Sequence, residues 1–370
     1  MTACNRSTPN AFLLLLSLLQ LIQNAQSFHS PTLVTRTQTS TKDMSLSSVT
    51  TATVSAASAS SSPSPIKVAV IGAGAAGLVT ARVLLRNGIT PTIFEKDSEI
   101  GGVWSYHRNS TTRPMYRGLR TNLPRELMAY REFPWGGDGK SQSFVTHDDV
   151  KDYLTSYAKK FGVDGLIQYN SRVKQLKVLI NEESNANPSW PKIKLEWDTE
   201  SPGKGEAQSS LDSFDAVCIC NGHYAAAATP IIPGTEHFQG KAYHSMEYDE
   251  PSVFEGQTVL CVGGRASGAD LAREISLHAK KVYLSDTTCP DLSERNGEPL
   301  QEGNVSWVPR TTAVNADSTI SFGPTCSEMP HVDTIIFCSG YDYQFPFINE
   351  ESNLNLSAVT GERRIKPLFE

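Results

Sequence analysis

The chain has 370 residues, a formal net charge of −6 and no basic block. That length exceeds the span of one ordinary hydrophobic core, so two domains are expected; the charge argues against nucleic acid, whose recognition needs clustered Lys and Arg to displace counterions. The seven cysteines are scattered, without the paired spacing of a zinc site or an even disulfide framework, so no metal site is expected.

In chain order, Arg6 precedes an apolar run at 12–22 that fits the roughly 7–15 residues of a signal-peptide core and falls short of the roughly 20 a membrane helix needs. No transmembrane helix is expected. Ala25-Gln26-Ser27 offers small residues at a cleavage site, so 1–27 reads as a signal peptide. Residues 28–65 are rich in Ser, Thr and Ala, with Asp43 as their one acid, and cannot bury enough apolar surface to order themselves. This Phe28-led, hydroxyl-rich segment resembles the second part of a bipartite plastid presequence, which implies delivery to a plastid through the secretory pathway. The alternative is a disordered linker in a reticulum or secreted protein.

Val68-Ala69-Val70-Ile71 then reads as a short buried strand, followed by Gly72-Ala73-Gly74-Ala75-Ala76-Gly77 opening a helix. In such a dinucleotide turn the first glycine permits the tight bend, the second lets backbone approach a pyrophosphate and the third lets the helix pack on the strand. Glu95, just past the strand Thr92-Ile93-Phe94, stands where an acid binds the ribose hydroxyls of an adenosine. Gly101-Gly102-Val103-Trp104 is a glycine turn with a large aromatic, and 115–124 reads as a packed loop. Residues 148–161 predict an amphipathic helix, with Val150, Tyr153, Leu154, Tyr157, Ala158 and Phe161 on one face, Thr146 at its start and Gly162 at its stop. Its aromatic stripe reads as core. Strands are expected at 172–180 and 192–197 around an Asn-rich turn; a polar Gly/Ser loop and a buried strand at 214–220 follow, with Cys218 and Cys220 as small apolar fillers.

A second such unit begins at the strand 258–262. Its turn, Gly263-Gly264-Arg265-Ala266-Ser267-Gly268, has Arg265 where the second glycine should stand, and a helix is expected over 269–277. Gly263 and Gly268 keep the bend and the packing, and Arg265 can offer charge to a phosphate. The chain runs through Val282-Tyr283-Leu284 and Ser285 to a last apolar strand at 332–338. The fold class is therefore α/β, with two Rossmann-like dinucleotide-binding domains.

Phe238-x-Gly240-x-x-x-His244-x-x-x-Tyr248, with the two glycine turns, Leu119–Pro124, Arg131-Glu132-Phe133-Pro134, Cys220-Asn221-Gly222-His223-Tyr224 and Ser339-Gly340-Tyr341, resembles the flavin-containing monooxygenases, in particular their plant-type S-oxygenating branch. The resemblance implies an FAD-binding domain at 66–230 and 331–370, and an NADPH-binding domain at 231–330 inserted into it. FAD would lie on Gly72, Gly74, Ala75, Ala76, Gly77, Glu95, Gly102, Val103, Trp104, Thr121 and Asn122. NADPH would lie on Gly263, Arg265, Ser267, Gly268 and Ser285. It further implies that NADPH and O2 form a flavin 4a-hydroperoxide, which oxygenates the sulfide or amine of a small molecule, and that Asn122, beside flavin and nicotinamide, protects it. The branch likewise replaces the second glycine of the second turn.

Two departures stand out. Plant-type relatives carry Arg after the serine that ends the second strand, to meet the 2′-phosphate of NADPH; here Asp286 follows Ser285, and an acid suits a free ribose. Relatives also continue for several tens of residues past the region of Pro367-Leu368, so the C-terminal part of the FAD domain is expected to be incomplete. That leaves two alternatives: a non-catalytic or truncated FAD- and NAD(P)H-binding remnant, and an uncoupled flavoprotein resembling an NADPH oxidase. A disulfide reductase lacks its cysteine pair here, and Tyr248 disfavours a Baeyer–Villiger enzyme. Oligomeric state is open, with a homo-oligomer compatible.

Overall fold

The computed structural model describes residues 65–136, 142–179, 191–200, 207–289, 300–323, 327–329, 331–354, 357–359 and 364–366. The expected signal peptide, nearly all of the transit segment and the Asn-rich turn lie outside them. The first unit comprises β1 (Val68–Ile71), α1 (Ala75–Arg86), β2 (Thr92–Phe94), α2 (His147–Lys160), β3 (Ile167–Gln168), β4 (Ser171–Leu179), β5 (Lys192–Glu200), β6 (Ala207–Phe214) and β7 (Ala216–Ile219). Its parallel sheet has the order β3-β2-β1-β7. All four residues of β1 are buried, as a strand covered on both faces requires. The antiparallel sheet β4-β5-β6 packs its apolar side, with Leu176, Ile193, Leu195 and Phe214, against Ala69, Ile71 and Phe94.

The second unit begins after β8 (Ala226–Ala227). It contains β9 (Lys241–His244), β10 (Thr258–Val262), α3 (Ala266–Ile275), β11 (Lys281–Ser285), β12 (Leu300–Glu302), β13 (Val305–Val308), β14 (Thr311–Val314), β15 (Ile320–Phe322), β16 (Ser327–Met329) and β17 (Thr334–Phe337), and β18 (Tyr341–Asp342) follows. The main sheet has the order β12-β13-β11-β10-β17-β9 and is parallel except at β12.

Helix α2 starts at a capping box. Thr146 Oγ1 accepts from the Asp149 amide at 3.3 Å and Asp149 Oδ2 accepts from the Thr146 amide at 2.9 Å, satisfying donors the first turn would leave unpaired. Of the expected face, Val150, Tyr153, Leu154, Tyr157 and Ala158 are buried, while Phe161 stands at the C-cap and is half-buried. Its tyrosines are core: the Tyr153 hydroxyl donates to the Phe133 carbonyl at 2.6 Å and accepts from the Tyr130 amide at 2.7 Å. No helix among the described residues is long and apolar enough to cross a membrane.

Three features differ from the sequence reading. Residues 207–213, expected to continue a polar loop, and Phe214, expected to open the next strand, form β6, a largely exposed edge strand held by its ladder to β5. Helix α3 starts at Ala266, because the second turn's last residues already adopt the first helical turn. The return to the first unit, expected at 331, comes later: β17 pairs with β10 and β9, and only beyond it does Phe347 enter the first unit's core beside Ile71 and Phe94.

The two units are clamped by tyrosines. The loop residue Tyr116 donates its hydroxyl across to Asp270 on α3, while Tyr248, within the second unit, donates to Glu274 Oε2 at 2.7 Å and presents its ring to Tyr116. The two rings meet edge to face at 5.2 Å. Arg117 Nη1 donates to Glu250 Oε2 at 2.6 Å and Tyr106 to Asp249 Oδ1 at 2.8 Å. Burial raises the Glu274 carboxyl above its usual range, against the lowering effect of the Tyr248 bond. Tyr248→Phe should strip a partly buried carboxylate of its phenol donor. The expected loss is about 1–3 kcal/mol of stability, read as a lower midpoint in thermal unfolding; an unchanged midpoint would mean that Tyr248 acts through packing alone.

Candidate functional site

The two glycine turns are built on one frame. Ile71 pairs with Phe94, so Glu95 follows directly; Val262 pairs with Ser285, so Asp286 follows directly. Gly72 N donates to the Phe94 carbonyl at 2.8 Å, and Gly263 N to the Ser285 carbonyl at 2.8 Å. Both glycines need positive φ, 104° at Gly72 and 111° at Gly263, a region side chains disfavour. The third glycine brings each helix down on its strand: a Cβ at Gly77 would lie 2.9 Å from the Gly72 carbonyl carbon, and one at Gly268 would lie 2.9 Å from that of Gly263.

The second position separates the units less than its chemistry suggests. Gly74 caps α1 with φ −79° and ψ −173°, and Arg265 caps α3 with φ −77° and ψ −169°. This is extended backbone that any residue adopts, so Arg265 leaves the course of the turn intact. A Cβ on Gly74 would meet only ordinary contact, 3.5 Å from Gly102 Cα, and the tighter restriction falls on the neighbouring glycine pair. Gly101 and Gly102, at φ 131° and 57°, fold the Gly102–Trp104 turn against Gly74, and a Cβ on Gly102 would lie 3.0 Å from Gly74 Cα. The two glycines leave a bare backbone cradle at the N-terminus of α1, where free amides and the helix dipole favour a pyrophosphate. Ala75 and Ala76 form the first turn of α1 beside it.

Each unit's acid is also tied back to its turn. Glu95 is 4% exposed; its Oε2 accepts from the Ala73 amide at 2.6 Å and its Oε1 from the Asp97 amide at 3.0 Å. Burial raises its pKa, partly offset by those amides. Asp286 Oδ2 accepts from the Gly264 amide at 2.8 Å. The acids thus hold equivalent places, beyond β2 and β11 and against the turn.

Between the units lies a cleft of about 1580 Å³. It gathers Val103, Trp104, Thr121 and Asn122 from the first unit and Gly263, Arg265, Ser267 and Ser285 from the second. Gly72, Gly74, Ala75, Ala76, Gly77, Glu95 and Gly102 lie along the first turn, and Gly268 is buried under the second. Thr121 is 5% exposed and fixed to Val145 by two bonds: its amide donates to the Val145 carbonyl at 2.9 Å and its Oγ1 accepts from the Val145 amide at 3.1 Å. Asn122 follows it and is exposed to the cleft. The Ser285 hydroxyl turns away, donating to the Pro309 carbonyl at 3.0 Å and accepting from the Thr311 amide at 2.8 Å. It fixes the strand end that carries Asp286.

Sequence reading did not single out Gly264, Tyr116 or Arg310, although the first-glycine-to-acid spacing is the same in both units. Superposing the units on that spacing would have matched Gly264 to Ala73. The signature also gains physical reasons. A Cβ on Gly240 would lie 2.7 Å from Phe238 Cζ, His244 Nδ1 accepts from the Met246 amide at 3.1 Å, and Tyr248 reaches Glu274. Cys218 is inert packing, its thiol pushed up to about 11 by burial and then by Cys220, which removes the thiolate a redox role needs.

The flavin-binding monooxygenase-like family profile matches residues 65–301. The flavin-containing monooxygenase FMO GS-OX5 of Arabidopsis thaliana is 34% identical over 81% of this chain and 64% of its own length. Among solved structures, the S-allyl-L-cysteine S-oxygenase of Allium sativum aligns with a TM-score of 0.69 at 32% identity, covering 82% of this chain and 67% of that one. Tmm from Pelagibacter aligns at 0.63 and 25% identity, covering 77% and 63%. The chain spans about 64% of the length of the curated relatives it matches. With its paired glycine turns and the Phe238–Tyr248 signature, it belongs to the flavin-binding monooxygenase-like family.

Proposed function

We propose that the chain is a flavin-dependent monooxygenase: FAD lies on the first turn, a reduced nicotinamide dinucleotide, NADPH by kinship, lies on the second, and an oxygen atom from O2 passes to the sulfide or amine of a small molecule. The observation that carries this reading is that the second turn, Gly263 to Ser267, faces one cleft together with Val103 and Trp104, which sit beside the first turn's cradle, and with Thr121 and Asn122. The Gly74–Gly102 cradle and the Glu95 carboxylate fit the pyrophosphate and ribose of the first nucleotide, and the α3 N-terminus with Arg265 fits the pyrophosphate of the second. The flavin, when bound, supplies hydride acceptance and oxygen activation.

The chain's own groups position and shield. Val103 and Trp104 wall the cleft beside the cradle, and Met115 and Leu119 extend that apolar wall, a side that offers water few partners. Thr121, fixed to Val145, sets the position of Asn122, whose side-chain amide donates and accepts at once. A soft nucleophile needs no protein acid or base. The test is direct: purified with FAD, the chain should consume NADPH or NADH together with O2 and return an S- or N-oxygenated product carrying label from 18O2. One observation favours the second reading, an uncoupled flavoprotein resembling an NADPH oxidase. Phe144, Tyr224 and Ile231 on the cleft wall are 50%, 46% and 99% exposed, so water has access. Hydrogen peroxide in place of oxygenated product would identify that behaviour.

Asn122→Ala should still bind FAD and still be reduced by the nicotinamide, but release hydrogen peroxide instead of product. Loss of such a partner costs about 1–3 kcal/mol, or roughly 5- to 150-fold in the lifetime of the state it protects. Peroxide yield per nucleotide oxidised measures it; loss of flavin, or an unchanged yield, assigns Asn122 to scaffolding.

We further propose that residues 1–27 are cleaved and 28–65 direct plastid import. A fusion of 1–65 to a fluorescent protein should light the plastid of an alga with a secondary plastid. Fluorescence confined to the reticulum or medium would contradict it.

A further inference from the structure

The two acids reach the same kind of amide with side chains of different length. Glu95 spans to the Ala73 amide past a residue that carries a Cβ, at 2.6 Å. Asp286 has one methylene fewer and makes the equivalent bond to the Gly264 amide at 2.8 Å. It can do so only by lying closer to the turn: a Cβ on Gly264 would stand 2.8 Å from both Cβ and Cγ of Asp286, and closer still to Oδ2. Gly264 is not at positive φ, so the demand for glycine here is steric. The far side of the carboxylate is fixed as well, with Oδ1 accepting from Thr288 N and Thr288 Oγ1, both at 2.7 Å. Although burial works to raise its pKa, these donors, the Gly264 amide and Arg265 outweigh it, and the net shift is downward. The group is a carboxylate at neutral pH.

We infer that Gly264 and Asp286 form one selectivity element, which holds a fixed carboxylate at the adenosine ribose of the second nucleotide and makes this chain favour NADH over NADPH. A carboxylate at that place accepts from a hydroxyl of a free ribose on its remaining lone pair and repels a 2′-phosphate. Arg265 and Arg310 also line the cleft. Arg265 caps α3 at the place of the pyrophosphate-facing glycine, so its charge serves a group that both nucleotides share. The inference rests on the reading of the second turn as the nicotinamide nucleotide site.

Calorimetric titration of the FAD-loaded full chain with NAD+ and with NADP+ tests it without turnover. NAD+ should bind about tenfold tighter or more, the scale of a like-charge contact near the surface. Asp286→Asn should bring the two affinities to within about threefold of each other. Gly264→Ala, which displaces the carboxylate while leaving it in the sequence, should do the same. The double variant should change the ratio no further, because both act through one group. Arg265→Gln should weaken both nucleotides and leave their ratio unchanged. NADP+ binding as tightly as NAD+ to the unaltered chain would overturn the inference and leave the site reading intact, whereas binding of neither would overturn both. A ratio that responds to Asp286→Asn but not to Gly264→Ala would break the pairing.

Discussion

The site depends on a contact that only glycine permits, where the third glycine of each turn rests on the carbonyl of the first. At Gly77 over Gly72, and again at Gly268 over Gly263, there is no room for a Cβ. That contact lays α1 on β1 and α3 on β10. It thereby aims the first-turn amides of each helix at the space beyond the strand ends, where the positive end of the helix dipole meets phosphate. The positive φ of Gly72 and Gly263 turns the chain sharply enough for the helix to begin there.

On that shared frame the units diverge by a few atoms. The first has a glycine turn at Gly101-Gly102 folded against Gly74; the second has Arg265 in the same backbone conformation, contributing a charge instead of space. The first pairs Ala73 with a glutamate and the second pairs Gly264 with an aspartate. The relative placement of the units is held by phenol–carboxylate bonds, with Tyr116 on Asp270 and Tyr106 on Asp249. These put the outer face of α3 against the loop that leads to Thr121 and Asn122. The signature tyrosine is thus bonded to Glu274 within the second unit, and it meets the first unit through its ring, packed edge to face on Tyr116.

Much of this was legible in the chain because the βαβ units announce themselves locally. The strands at 68–71, 92–94 and 258–262 and the face of α2 follow from apolar runs, glycine spacing and helical period, which need no distant partner. What escaped reading depends on pairing. β6 is a polar, largely exposed strand that exists only because β5, just before it, offers an edge, and β12 to β16 pair in short hairpins with too few residues to show a period of their own, β13 being joined also to β11. β17 reads as a buried strand, but its sheet is decided by pairing with β10 and β9. At the site, Asp286 stood out as an odd residue. Its dependence on Gly264 is a steric fact between residues 22 apart and emerges only when the turn is folded.

The central claim is that the chain carries two separate dinucleotide sites, flavin on the first turn and nicotinamide nucleotide on the second. It is tested most directly by adding one methyl group at each third glycine and measuring both ligands on each variant. Gly77→Ala should give folded but colourless protein after desalting, which still takes up a nicotinamide dinucleotide in calorimetric titration. Gly268→Ala should remain yellow and lose that nucleotide. Retention of flavin by Gly77→Ala, or its loss from Gly268→Ala alone, would contradict the assignment of the two turns.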